Sequence, residues 1–195
     1  MADTLEKLQA RLAEAEEQLE AEWEKRRAAM HYHIEQRKIV FEKEVREAHR
    51  KLRVRLWLFL RRTRPMVILT APVIYSVALP FALIDLWVTL YQWICFPIYG
   101  IEKVKRSDHI VIDRHNLAYL NAIQKFNCVY CGYGNGVASY VREVSARTEK
   151  YWCPIKHARR VKGTHVYYGE FCDFGDGEAF QKDSPRLRRE LRKKD

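Results

Sequence analysis

The sequence predicts a mainly α-helical, membrane-attached chain: a long N-terminal coiled-coil helix, a hydrophobic membrane segment and a small C-terminal metal-knuckle domain. Three observations predict it. Residues 4–62 contain no Pro or Gly and are dominated by Glu, Lys, Arg, Ala and Leu. Residues 66–100 carry a single formal charge, Asp85. Four of the five cysteines follow residue 127, two of them in C-x-x-C spacing. The chain divides accordingly into a coiled-coil helix (1–64), a membrane-embedded segment (65–101), a Cys/His metal-binding domain (102–183) and a basic tail (184–195).

The net charge of +10 is a sum of unlike parts. Residues 1–24 carry eight acids against Lys7 and Arg11, whereas residues 25–64 carry fourteen bases against four acids. An acidic distal end and a basic end beside an apolar run suit a chain that meets anionic lipid headgroups. Nucleic acid is the weaker fit for that basic charge, because the apolar run adjoins it. The opening "MADTLEKLQARLAEAEEQLE" is acidic and has no apolar centre, so it does not read as a secretion signal.

Within residues 4–52, apolar positions recur at Leu5, Leu8, Leu12, Ala15, Leu19 and Trp23, then at Met30, Ile34, Phe41, Val45, Ala48 and Leu52. Many of these steps are threes and fours, the spacing of a coiled-coil seam. A continuous helix from Thr4 to Arg62 would be roughly 90 Å long at 1.5 Å per residue. Nothing local covers its seam, so the expected partner is a second copy or another helical protein. His31 and His33 point to different faces of a helix and are not a metal pair.

"MVILTAPVIYSVALPFALI" supplies nineteen uncharged residues, close to the roughly 20 that cross a hydrocarbon core. Asp85 interrupts, and "LWVTLYQWICFPIYG" continues the run. A single span competes with a hairpin or re-entrant segment that bends between Pro80 and Asp85. Arg61, Arg62 and Arg64 precede the run, and Lys103, Lys105 and Arg106 follow it. Basic clusters at both ends favour the hairpin, with both ends and the thiols on the cytoplasmic side. Trp87 and Trp93 complete the expected interface set, as amphipathic rings at headgroup level.

"FNCVYCGYGNG" places Cys128 and Cys131 beside Gly132, Gly134 and Gly136, and "YWCPIKH" follows with Cys153 and His157. Glycines after a C-x-x-C pair permit the inward-turned amides of a metal knuckle. Pro154 suits a first helical turn, so Cys153 is expected to cap a short helix carrying His157 one turn on. Three thiolates and an imidazole make a closed tetrahedral set for structural Zn. Cys172 is the alternative fourth ligand in place of His157. "CVYCGYGNG" resembles the first knuckle of rubredoxin, whose pattern is C-x-x-C-G-Y, and Cys153 with Pro154 resembles the opening of the second. The likeness covers about thirty residues and lacks the second thiol of the second knuckle. It implies Fe and one-electron transfer as the alternative to Zn.

No Walker loop, G-x-S-x-G or H-E-x-x-H is present, so no catalytic residue is assigned. The functional expectation is a membrane-anchored, self-associating scaffold with a metal-stabilised domain. Its alternative is a membrane-associated redox subunit.

Overall fold

The computed structural model describes residues 2–30, 32–35 and 38–192. The fold is mainly helical. In chain order it contains α1 (Ala2–Ala29), β1 (Tyr32–Glu35), β2 (Lys38–Phe41), α2 (Lys43–Lys51), α3 (Leu56–Arg62), α4 (Pro65–Leu69), α5 (Ala71–Ser76), α6 (Ala78–Tyr99), α7 (Arg106–His109), α8 (Ala122–Trp152) and α9 (Gly177–Glu190). Short 3-10 turns occupy Arg114–Asn116 and Val166–Glu170. The chain forms two units, Met1–Arg61 with Asp113–Lys125, and Arg62–Ile112 with Phe126–Asp195.

In the first unit, α1 is a helix laced by Glu22 with Lys25 and Arg26, and by Glu24 with Arg27. The expected unbroken helix to Arg62 is not formed. An antiparallel hairpin pairs Tyr32 with Phe41, His33 with Val40, Ile34 with Ile39, and Glu35 with Lys38. Ile34, Ile39 and Val40 are β-branched, and Tyr32 and Phe41 are aromatic, so this stretch carries strand propensity that an apolar count at helical steps overlooks. His31 lies outside the described residues. Beyond the hairpin, the His49 ring meets Phe41 and Tyr119 edge-on, with centroids at 5.5 and 5.2 Å. Arg53 Nε donates to the Ala118 carbonyl at 3.2 Å. Asn121 and Gln124 exchange side-chain-to-backbone bonds of 3.0 Å, the reciprocal arrangement of a capping box that starts α8.

In the second unit, α4, α5 and α6 follow one another with single-residue breaks at Thr70 and Val77. Prolines set the breaks. Pro65 and Pro72 occupy the opening positions of α4 and α5, and Pro80 is the third residue of α6. There a missing N–H is harmless, whereas the ring blocks continuation from the preceding turn. Gly100, at φ 73°, ends α6 in the left-handed region, and Ile101 N returns to the Phe96 carbonyl at 2.8 Å, closing the helix as a glycine cap does. The chain then runs back along α6 before α8 follows α6 in the same direction. Tyr75 bonds Asn127, Gln92 bonds Tyr140, and Tyr99 stacks on Tyr151. Phe96, Ile101, Val104, Tyr140 and Val144 form the core between these pieces.

The alternation in "HIVID", residues 109–113, predicts a short strand, but it forms no ladder among the described residues, and α7 ends at its first residue, His109. The basic tail is helical to Glu190 as the end of α9, which Asp176 caps through Ala179 N at 2.9 Å.

Candidate membrane-binding site

α6 has two faces. Leu79, Leu83, Leu86, Leu90 and Trp93 recur at steps of four and three and are exposed. Asp85, Thr89, Gln92 and Phe96 recur at the same steps on the opposite side, where Asp85, Gln92 and Phe96 are buried. Residues 65–99 together are long and apolar enough to cross a membrane, and that apolar surface is uncovered within the chain. Trp87 is 71% and Trp93 65% exposed. An exposed apolar patch of this extent marks a membrane or partner contact.

Beside Phe96, the covered face carries polar groups that are bonded. Asp85, 7% exposed, receives Arg106 through Nε to Oδ1 at 2.9 Å and Nη2 to Oδ2 at 2.5 Å. Tyr133 OH donates to Oδ2 at 3.0 Å. Gln92 works as a strand surrogate. Its Oε1 accepts from Val104 N at 3.0 Å, and its Nε2 donates to Val104 O at 3.1 Å and to Tyr140 OH at 2.6 Å. These bonds pin the returning segment 101–106 into the groove of α6. Burying such groups without partners would cost about 1–3 kcal/mol each. The expected bend at Asp85 is therefore absent. The helix continues through it, and the acid is satisfied by a cation twenty-one positions on.

The interface residues read from the sequence separate into two sets. Arg61, Arg62, Arg64, Lys103 and Lys105 are exposed, as are Trp87 and Trp93. Arg106 is exposed as well, but its guanidinium is committed to Asp85. Sequence reading missed Asp85, Gln92, Tyr133 and Tyr140 as a set. A lone acid in an apolar run needs a cation, and the nearest arginine beyond the run was the available signal.

The four expected metal ligands do not converge. Cys128, Cys131 and the three glycines lie inside α8, not on a turn, and Cys153 follows the last residue of that helix. Twenty-two residues at 1.5 Å per residue put Cys131 and Cys153 roughly 33 Å apart, against about 2.3 Å for a Zn–S bond. Pro154 begins no helix. Ile155 pairs with Cys172 in a short bridge. His157 stacks on Tyr168, whose OH also accepts from His157 N at 2.8 Å. Cys172 is buried, and burial pushes its thiol up, with Asp183 and Asp176 adding to the effect. Among the described residues no three His, Cys, Asp or Glu side chains gather to hold a metal. The ligand set expected for Zn, or for the Fe of the rubredoxin likeness, is therefore not gathered among the described residues.

The glycines have another use. A Cβ on Gly136 would stand 2.7 Å from Ile110 Cα and 2.9 Å from the His109 carbonyl oxygen, and one on Gly134 would stand 3.1 Å from the Phe81 ring. They let α8 approach the returning segment and α6 closely.

On the far side of α8 the groups are charged and paired. Lys150, buried, holds Glu170 at 2.5 Å and Glu190 at 3.1 Å. Burial opposes ionisation of Glu143, but bonds from Arg147 at 2.8 Å and Tyr167 at 2.8 Å prevail and hold its carboxyl below the usual range. No family model, curated protein or solved structure matches this chain.

Proposed function

We propose that the protein is a membrane-seated scaffold whose α4–α6 stretch lies in one leaflet, leaving the polar side of the second unit in water. The observation that carries this reading is the division of α6 into an exposed apolar stripe and a sealed polar one. The charges beside α6 argue for lying along the surface rather than crossing. Val104 is bonded to Gln92 and Arg106 to Asp85, so Glu102, Lys103 and Lys105, all exposed, flank the middle and end of the apolar run. Crossing would carry these groups into hydrocarbon at about 2.5–3.5 kcal/mol for each basic or acidic side chain. Lying along the leaflet leaves them in the headgroup layer, with both ends of the run on the same side.

The scaffold part of the reading rests on α1. Leu8, Leu12, Leu19 and Trp23 are exposed at seam spacing, and a second copy of α1 supplies the cover.

Flotation with phosphatidylcholine vesicles, followed by alkaline extraction, tests the seating. The wild type should float and resist extraction, and Trp87→Glu/Leu90→Glu/Trp93→Glu should stay in the soluble fraction. Equal flotation of both would sink the proposal. A second reading, a single span, draws on the 35-residue length of the run. Thiol labelling of single cysteines at positions 64 and 103 in sealed vesicles separates the two. Both label from one side for a leaflet-seated helix, and from opposite sides for a span.

A further inference from the structure

Between Cys153 and Phe171 the chain makes a basic loop that neither the membrane face nor the seam uses. Lys156, His157, Arg159, Arg160, Lys162 and Tyr168 surround a cleft of about 870 Å³. Lys156 is engaged by Asp173 at 2.9 Å. Arg159, Arg160 and Lys162 have no anionic partner among the described residues. The loop is nonetheless held in shape. Lys156 N donates to Cys172 O at 2.8 Å, and Cys172 N to Pro154 O at 2.9 Å. Arg142 from α8 donates to the carbonyls of Gly163 (2.8 Å) and Thr164. His165 meets Glu149 at 3.0 Å. Gly163 turns the chain at φ 67°, where a side chain would be strained. Three uncompensated cations beside a phenol hydroxyl and an imidazole, on a loop anchored at both ends, form a receptor for a multiply charged anion.

We propose that this cleft binds a phosphate-rich anion, with Arg159 and Arg160 as the principal ligands to phosphate oxygens and Lys162 adding charge. Planar guanidinium forks match phosphate geometry. Phosphate could come from a soluble polyphosphate-bearing molecule or from a lipid headgroup, and the placement of the loop favours the soluble source. On α8, Tyr140, Val144 and Tyr151 face α6, whereas Arg142 and Glu149 face the loop. At 3.6 residues per turn those two directions differ by about 170°. α8 therefore stands between the loop and α6, and the cleft lies on the side of α8 away from α6. The preference for a soluble source rests on the membrane seating proposed above. The phosphate cleft itself does not.

The test uses the full chain in phosphatidylcholine bicelles, titrated calorimetrically with inorganic triphosphate at low and physiological salt. Saturable binding is expected, weakening as salt rises. Arg159→Gln/Arg160→Gln should weaken it at least about tenfold, the loss of a charge-assisted bond. Arg46→Gln, an exposed change on α2, should not weaken it. Circular dichroism confirms that the variants fold. Equal affinity in the Arg159/Arg160 variant, or absence of saturable binding to triphosphate and of Arg159/Arg160-dependent capture on phosphatidic acid alike, overturns the cleft. A second arm compares vesicles with and without phosphatidic acid. Triphosphate binding that is indifferent to lipid composition supports the soluble source. Capture on phosphatidic acid that needs Arg159 and Arg160, without triphosphate binding, overturns that source while leaving flotation on neutral lipid, and so the seating proposal, to stand or fall separately.

Discussion

Asp85 and Arg106 meet in a two-point ion pair, 2.9 and 2.5 Å long, between the middle of the apolar helix and the segment that returns along it. The pair couples chain reversal to burial. Arg106 can reach the acid only if residues 101–105 lie in the groove, where Gln92 holds Val104.

Removing one member should expose how much the reversal depends on it. Breaking a fully buried pair costs about 3–5 kcal/mol. The Arg106 side chain is 46% accessible, so screening reduces the expected loss for Arg106→Leu to about 2 kcal/mol. Asp85→Leu/Arg106→Leu should recover most of it, because no unpaired charge remains. Thermal unfolding in bicelles, followed by near-UV circular dichroism, reads both. Equal losses in the single and double variants would contradict an electrostatic role.

Gly136 should tolerate substitution less well than Gly134. Ala at 136 presses on the Ile110 and His109 backbone rather than on the end of a flexible side chain, and overpacking of that kind costs about 1–3 kcal/mol. Ala at 134 meets only a Phe81 ring edge and gains about 1 kcal/mol of helix propensity over Gly. Urea midpoints should place Gly136→Ala clearly below wild type and Gly134→Ala within about 1 kcal/mol of it.

Chelation should leave the fold intact. A structural Zn²⁺ in a knuckle contributes about 10–16 kcal/mol of apparent binding energy to folding, so its removal would collapse a domain that depended on it. Here α8 separates Cys131 from Cys153, and the expected result is an unchanged melting temperature in excess EDTA or phenanthroline. A drop of many degrees would show that the four ligands gather after all.

Acid should destabilise the second unit. The Glu143 and Glu190 carboxyls lie below their ordinary value of 4.5. Burial opposes this in both, and the bonds from Arg147 and Tyr167, and from Lys150 and Arg186, outweigh it. A depressed carboxyl contributes stability that is complete above the unfolded pKa and is lost as pH falls through the folded one. Unfolding free energy should therefore decline below about pH 4.5, and Glu143→Gln should flatten that decline. A slope unchanged by the substitution would locate the acid sensitivity elsewhere.

The exposed seam of α1 predicts association. Leu12→Glu/Leu19→Glu should shift the sedimentation coefficient of detergent-solubilised protein to that of a smaller species and leave vesicle flotation unchanged. A wild type already monomeric at micromolar concentration would remove the scaffold part of the proposal.

The sequence by itself determined what depends on local composition. The apolar run, its flanking arginines and lysines, the helical character of residues 4–29, and the exposure of Trp87 and Trp93 all follow from residue types a few positions apart. Tertiary structure decided what depends on distant partners. Glycines after C-x-x-C satisfy a knuckle turn and a close helix contact equally well, and only the approach of Ile110 to Gly136 selects the second. Asp85 reads as the limit of a bend in the apolar run until Arg106 is brought to it. A charge or a glycine in sequence states a need that several geometries can meet, and the packing of segments far apart in the chain determines which one meets it.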